Sequence, residues 1–424
     1  MANGFSKEER VAFLEMCKGF EDSLVLSRRI SKYQTDQTMM ERTGNTIWRP
    51  MPYILNSYDG LDQTGNFDDV VQLSVPATLG YSKSTPWTMS ATELRDALQN
   101  NRLGVAARQR LASDINTRIM TTACYQGTIF IKRSAAASGF DDVAAIDTAC
   151  NRLGVPLMGE VSAFYSSADY NSMASNLATR DNLTAGITSD AFRRAYVGEV
   201  ASIETFKSDT ALRLSAATAT SVTVNGANQY WVPKATQTAV TGEVANVDNR
   251  SMTFAITVGG NKVKVGDAFT IAGVNEVHHI TKEDTGQPKT FRITEIVSGA
   301  GGTGTVRISP AIVSATGGSR AEIQYQNVTA APADGAAITF LNTVAGYMNP
   351  FFHSDALELL PGRYEVETSA GVATMRATLE NGIGVLMTKW VDGFTLKNFY
   401  RVDAFWGTVN KQPEMSGIEM FSQT

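Results

Sequence analysis

The sequence predicts an α+β fold with a small antiparallel barrel or sandwich inserted in it, and three observations carry that prediction. A long run of apolar residues at helical spacing lies between Ser90 and Tyr125. From about Leu214 the composition shifts to Thr, Val, Ala and Gly, with apolar–polar alternation continuing to about residue 340. Alternation returns near the end, at Tyr400, Val402, Ala404 and Trp406. Periods of 3.6 and 2 separate helices from half-buried strands.

A chain of 424 residues can bury a large core without disulfides or metals. Hydrophobic residues at 43% and charged residues at 19% argue against a disordered chain. The balance of 37 basic against 42 acidic residues, with no long Lys/Arg run, excludes dense sequence-specific DNA contact. Cys17, Cys124 and Cys150 stand far apart, so neither a disulfide framework nor a zinc ribbon is supported. The N-terminus carries charge where a signal peptide needs an apolar run. No apolar stretch approaches the ~20 residues of a membrane helix. The expectation is a soluble protein made in the cytoplasm, with no membrane partner.

Ser6 to Glu9 is a capping-box pattern, and Val11, Leu14 and Cys17 follow at helical spacing. This predicts a helix from Ser6 to about Gly19, either packed on its own chain or laid as an arm on another subunit. Residues 53–69 read as a long acidic hairpin loop with turns at Asp59-Gly60 and Thr64-Gly65-Asn66. Asp59, Asp62, Asp68 and Asp69 line it without the spacing of a calcium loop, which makes it a solvated or interface loop. The strand Val71, Leu73, Val75 follows, then Pro76.

A second capping box, Ser90 to Glu93, opens the longest helical pattern: Leu94, Leu98, Val105, Ala112, Ile115, Ile119 and Ala123. Leu103, Ala107 and Leu111 form an adjacent stripe, and Arg95, Arg102, Arg108, Arg110 and Arg118 decorate the remainder. Such a helix spans ~54 Å and acts as a strut. Gly104 is its weak point, costing up to ~1 kcal/mol against Ala.

Residues 140–210 alternate short helices and strands. The stripe Val143, Ile146, Cys150, Leu153 stops at Gly154, with Pro156 beyond. Residues 162–166 read as a strand, and 168–178 and 190–196 as helices. Within 221–340, alternating pairs at Val222/Val224, Met252 to Val258, Val263/Val265, Phe269/Ile271, Phe291/Ile293, Val306/Ile308 and Ile323/Tyr325 predict a barrel or sandwich without helix.

Catalytic chemistry is sparse. His278 and His279 are adjacent, and neighbours on a strand face opposite ways, which opposes a shared metal ion. His353 reads as a packed or surface histidine. Cys124 and Cys150 lie on predicted helices as small buried thiols. The run Gly299 to Gly304 lacks the Gly-Lys-Ser/Thr of a phosphate loop and leads into a strand. No catalytic, cofactor or metal residue is assigned.

Collinear motifs point to a family. Asn45-Thr46-Ile47-Trp48-Arg49-Pro50 comes first, then Leu94-Arg95-Asp96 and Ala106-Ala107-Arg108. Val247-Asp248-Asn249-Arg250 and Gly266-Asp267, with Phe269 to Val274, follow. Arg401-Val402, Gly407, Asn410 and Pro413-Glu414 close the series. In this order they resemble the coat proteins of short-tailed Salmonella phages. The resemblance implies the Hong Kong 97-like capsid fold with an inserted barrel. It divides the chain into an N-terminal arm (1–50), an extended hairpin loop (51–80) and a peripheral domain with the spine helix (81–135 and 376–424). An axial domain (136–220 and 341–375) and the inserted barrel (221–340) complete it.

The implied function is a major capsid protein forming pentamers and hexamers of an icosahedral head. The implied partners are further copies of itself, a scaffolding protein, a portal protein and packaged double-stranded DNA bound without sequence specificity. Implied interface residues are Asp59, Asp62, Asp68 and Asp69 opposite Arg102, Arg108 and Arg110, with Glu243, Asp248 and Arg250 in the inserted domain. Glu15 and Glu21 stand for the acidic face that engages a scaffold. Two departures stand out: Glu243 is the only acid in Thr241–Ala245, and Lys18 interrupts the acidic face of the first helix. The rival readings are a cytoplasmic enzyme with a barrel appendage and a β-rich tail or adhesin-type binding module.

Overall fold

The computed structural model describes residues 7–22, 26–33, 44–52, 54–55, 57–64, 67, 70–90, 97–155, 160–178, 198–366, 372–379 and 381–424. Ser6, residues 91–96 of the second capping box and the helix expected at 190–196 lie outside them. The chain forms two compact units. The first holds Met1–Ile47, Pro76–Thr121 and Leu357–Val409; the second holds Trp48–Val75, Thr122–Ala356 and Asn410–Thr424.

In the first unit the spine helix, Ala97–Gln126, contributes its residues up to Thr121. Ala112, Ile115 and Ile119 of the predicted stripe are buried, and so are Ala107 and Leu111 of the adjacent one. The two stripes merge into one wide apolar face. A six-stranded sheet is built around Lys397–Asn410, which pairs with Gly384–Asp392 and with Tyr81–Ser90. Its predicted alternation holds: Tyr400, Val402, Ala404 and Trp406 are all buried. The first helix, Lys7–Asp22, packs on its own chain through Phe13, Met16 and Cys17. Glu9 fixes it, accepting from Lys389 Nζ at 2.6 Å and from the Tyr400 hydroxyl at 3.2 Å.

The second unit contains a seven-stranded sheet with Gly346–His353 and Val161–Ser166 at its middle. Every residue of Val161–Ser166 is buried, as a strand covered on both faces requires. Helix Phe140–Leu153 presents Val143, Ile146, Cys150 and Leu153 to the core and ends at Gly154 in the left-handed conformation, φ 79°. Strand pairing draws boundaries that local pattern does not show. Ser416–Met420 and Ile129–Lys132, expected with the spine helix, pair in parallel within this sheet. Leu357–Pro361, expected in the axial domain, joins the sheet of the first unit. Both assignments depend on partners hundreds of residues away.

The barrel also lies in the second unit. Its strands run in the order Thr223–Val224, Met252–Thr257, Gly304–Ser309, Asp284–Ile296, Ala268–Val277, Ile338–Phe340. The last returns to the first, since Ile338 N–H donates to Val222 O and Val224 N–H to Ala336 O, both at 2.9 Å. Phe254, Ile256, Phe269, Ile271, Phe291, Ile293, Val306 and Ile308 fill it. Two predicted strands are corrected. Ile323 and Tyr325 lie on a helix, Arg320–Tyr325, because Ser319 and Glu322 form a capping box that overrides the alternation. Val263 and Val265 lie in an irregular turn before Ala268.

Candidate assembly interface

The long loop leaves a two-stranded ribbon, Thr46–Pro50 with Ser74–Thr78. The second strand begins later than predicted and runs through Pro76. Asp62 caps its own turn, accepting from Thr64 N at 3.0 Å and Thr64 Oγ1 at 2.6 Å. The Thr64 hydroxyl, then its backbone N–H, hold the Asp62 carboxyl below its usual pKa. Asp59 is exposed beside Gly60, whose carbonyl accepts from Gln63 Nε2 at 2.6 Å. Asp68 and Asp69 lie outside the described residues. Leu55, Leu61, Phe67 and Val70 on the same loop are exposed, Leu61 and Phe67 almost completely. The loop is tied to the barrel's short helix: Arg320 Nη1 donates to the Tyr58 hydroxyl at 2.6 Å, and Tyr325 donates to Val71 O at 2.7 Å.

The predicted arginines differ in environment. Arg110 is exposed and pairs with Asp114 one turn on at 3.4 Å. Arg108 is half-buried, and the side chain of Arg102 lies outside the described residues. Glu15 is exposed on the first helix, while the side chain of Glu21 lies outside the described residues. Glu243 sits at the tip of a hairpin, Thr236–Thr238 with Val244–Asn246, whose residues are exposed throughout. Val240 and Val244 project there as exposed apolar side chains. Asp248 and Arg250 meet each other instead, in a two-pronged ion pair of 2.7 and 2.9 Å. Arg250 also donates to Asn410 O at 2.7 Å.

A set of buried ionic groups went unread in the sequence. Arg292, on a barrel strand and wholly buried, donates to the carbonyls of Cys124, Gly127 and Gly266. Burial pulls its pKa down to about 10, which leaves it charged at neutral pH. Lys289 pairs with Glu414, and Arg152 with the buried Glu276. Burial works to raise the Glu414 pKa, but Lys289, His279 and Lys282 hold it below the ordinary value. The only sequence signal was a charge beside apolar neighbours, as in Phe291-Arg292-Ile293, which alternation assigns to solvent.

The candidate chemical residues are placed in unreactive settings. Burial pushes the Cys124 and Cys150 thiols up to about 12, away from the reactive thiolate. His353 is buried with Nε2 2.7 Å from Glu160 Oε2, and its Nδ1 accepts from Asp355 N at 3.2 Å. Glu160, His353 and Asp355 lie close enough to share a cation. Nδ1 already faces the Asp355 N–H and Nε2 the Glu160 carboxylate, so a metal at either nitrogen would displace one of these contacts.

A family model described as P22 coat protein, gene protein 5, matches residues 1–422. The chain belongs to the P22 coat protein family. It is a phage major capsid protein, self-assembling and located in the virion, with the α+β Hong Kong 97-like fold and a near-closed inserted barrel. Similar solved structures include one from Mycobacterium phage Che8, 10% identical, covering 93% of this chain and 90% of that one, with a TM-score of 0.44. The I-domain of the CUS-3 coat protein is 46% identical, covering 28% of this chain and 95% of that one, with a TM-score of 0.23. The mature capsid of bacteriophage PhiM1 is 9% identical, covering 93% and 85%, with a TM-score of 0.42. Among the described residues of this P22-family coat protein, no helix is long and apolar enough to cross a membrane.

Proposed function

We propose that this coat protein closes into an icosahedral head of pentamers and hexamers around double-stranded DNA, and that it catalyses no reaction. The observation that carries the assembly reading is the extended loop. Four large apolar side chains, Leu55, Leu61, Phe67 and Val70, stand exposed on it beside aspartates. An apolar surface of this kind marks a protein contact. Residues 53–78, held at Tyr58 and Val71 by their own barrel, then reach a neighbouring subunit, their aspartates toward Arg102, Arg108 and Arg110. The exposed hairpin around Glu243 supplies a second contact. Residues 221–340 form an autonomous barrel, and the first helix, with Glu15 and Glu21, engages a scaffolding protein. A portal protein occupies one vertex. The high pKa of Cys124 and Cys150 supports the non-enzymatic reading.

Electron microscopy of the expressed chain, with and without a scaffold, tests the shell: uniform closed particles are expected, and monomers or small oligomers under every condition would reject it. Changing Asp59, Asp62, Asp68 and Asp69 together to Asn tests the loop. Exposed pairs contribute only ~0–1 kcal/mol each, but they repeat at every interface. Shell yield and melting temperature are expected to fall; wild-type values for both would remove the loop from the interface.

A further inference from the structure

In the first unit, the N-terminal helix, the spine helix and the sheet enclose a cavity of about 200 Å³. Phe13, Met16, Val105 and Met387 give it apolar walls. Gly104 lies in the same wall, and a Cβ built there meets nothing within 4 Å. The glycine that weakens the N-terminal third of the spine helix thus leaves this cavity open.

Two hydrogen-bond donors line the cavity without an acceptor among the described residues: Trp87 Nε1 and Arg108 Nε, both buried. Indole N–H and guanidinium groups donate and never accept. A buried donor left unpaired keeps its full desolvation penalty. The Trp87 ring is held by stacking on Tyr400, 5.6 Å between centroids. Glu9, also at the cavity, is engaged by Lys389 and Tyr400. Glu15 is exposed at the rim.

We propose that this cavity binds a carboxylate carried on a short unbranched apolar stem. The carboxylate takes the Trp87 and Arg108 donors, and the stem lies among Phe13, Met16, Val105 and Met387. The guanidinium charge favours an anion over a neutral carbonyl, because charge-assisted hydrogen bonds are the stronger kind. The volume is below the ~300 Å³ of ordinary ligand pockets, which restricts the ligand to a short acid. Arg108 is common to this site and to the proposed loop contact, whereas Trp87, Gly104 and the apolar walls belong to this site alone.

The test titrates octanoate into the full-chain subunit by calorimetry, beside octan-1-ol and acetate. Octanoate is expected to bind about tenfold or more tightly than either control. The Trp87 indole N–H resonance, identified by Trp87→Phe, should move during the titration. Gly104→Leu fills the cavity without removing a donor, and Arg108→Met removes the charge; each should weaken octanoate binding about tenfold or more. Equal binding of octanol and octanoate overturns the proposal. So does an absence of octanoate binding at millimolar concentration, or unchanged binding by a folded Gly104→Leu subunit. If Arg108→Met fails to fold, Gly104→Leu decides alone.

Discussion

Replacing Arg292 by Met should detach the barrel from the end of the spine helix. The helix ends at Gln126, so the Cys124 carbonyl is among the last four, which have no partner within the helix. Arg292 supplies that partner and places a cation at the negative end of the helix dipole. It also donates to Gly127 O at 3.4 Å and Gly266 O at 3.0 Å. Hydrogen bonds from a charged donor contribute ~1.5–3 kcal/mol each, and the Gly127 contact is long, so two full bonds set the scale. Removing them while leaving carbonyls buried should cost ~3–5 kcal/mol, partly offset because Arg292 Nε has no partner among the described residues. Against a total stability of ~5–15 kcal/mol this is a large fraction. Urea unfolding of the full chain, followed by circular dichroism, reads it out. With a slope of ~2 kcal/mol/M the relevant midpoint should fall by about 2 M. In the excised 221–340 fragment the Cys124 and Gly127 carbonyls are missing and only the Gly266 bond is lost, so the same substitution should cost about half as much there. A loss below ~1 kcal/mol in the full chain, or equal losses in chain and fragment, would refute the anchoring role.

Acid sensitivity should centre on His279, which burial, helped by Lys289 and Lys282, pulls down to about 4 against the pull of Glu414. The unfolded chain binds this proton near pH 6.5 and the folded chain does not, so stability should fall by ~1–3 kcal/mol as pH drops from 6.5 to 4. Glu414, held low in the folded chain, adds a loss as pH falls through its folded value, whereas Glu419, raised by burial and by Asp142, loses its contribution as pH rises above 4.5. His279→Gln should flatten the slope between pH 6.5 and 4; an unchanged melting profile would remove His279 from the account. Cys124 and Cys150 should stay unmodified by iodoacetamide at pH 8 until the chain unfolds, and mass spectrometry showing their rapid alkylation in the native subunit would contradict their burial. The excised 221–340 fragment should give dispersed amide spectra and a cooperative melt, and a disordered fragment would show that its apolar core is not self-sufficient.

What could be read from the sequence was what local pattern encodes. The stripe Val143, Ile146, Cys150, Leu153 and its stop at Gly154 reappear as a helix with a left-handed cap, because both depend only on residues close in sequence. The barrel strands were legible from their own alternation, and Ala268–Val277, Asp284–Ile296 and Gly304–Ser309 pair in sequence order, whereas Met252–Thr257 pairs with Gly304–Ser309 across two intervening strands. The Ser319/Glu322 capping box was present in the sequence but lost to the alternation of Ile323 and Tyr325, a choice between two local rules. The parallel pairing of Ser416–Met420 with Ile129–Lys132 was not legible, since nothing near either strand specifies the other. In the interface, exposure of the loop followed from its composition. The mutual pairing of Asp248 with Arg250 did not, because two residues apart on a strand-like segment reads equally well as two outward charges.

The buried ions around the barrel suit a shell subunit for a physical reason. The barrel closes its own apolar core, and the seven-stranded sheet and its helices close another. Two self-sufficient cores joined only by apolar contact can slide, because apolar packing is weakly directional. Arg292 on the Cys124 and Gly127 carbonyls, Lys289 on Glu414 and Arg152 on Glu276 are directional, and each is costly if broken on one side only. They add little net stability compared with apolar packing of the same volume, and they penalise every orientation but one. A monomeric enzyme tolerates a few degrees of freedom between barrel and body. In a closed shell the same error recurs in every subunit and changes curvature, so contacts that fix orientation at small net stability are the kind that assembly requires.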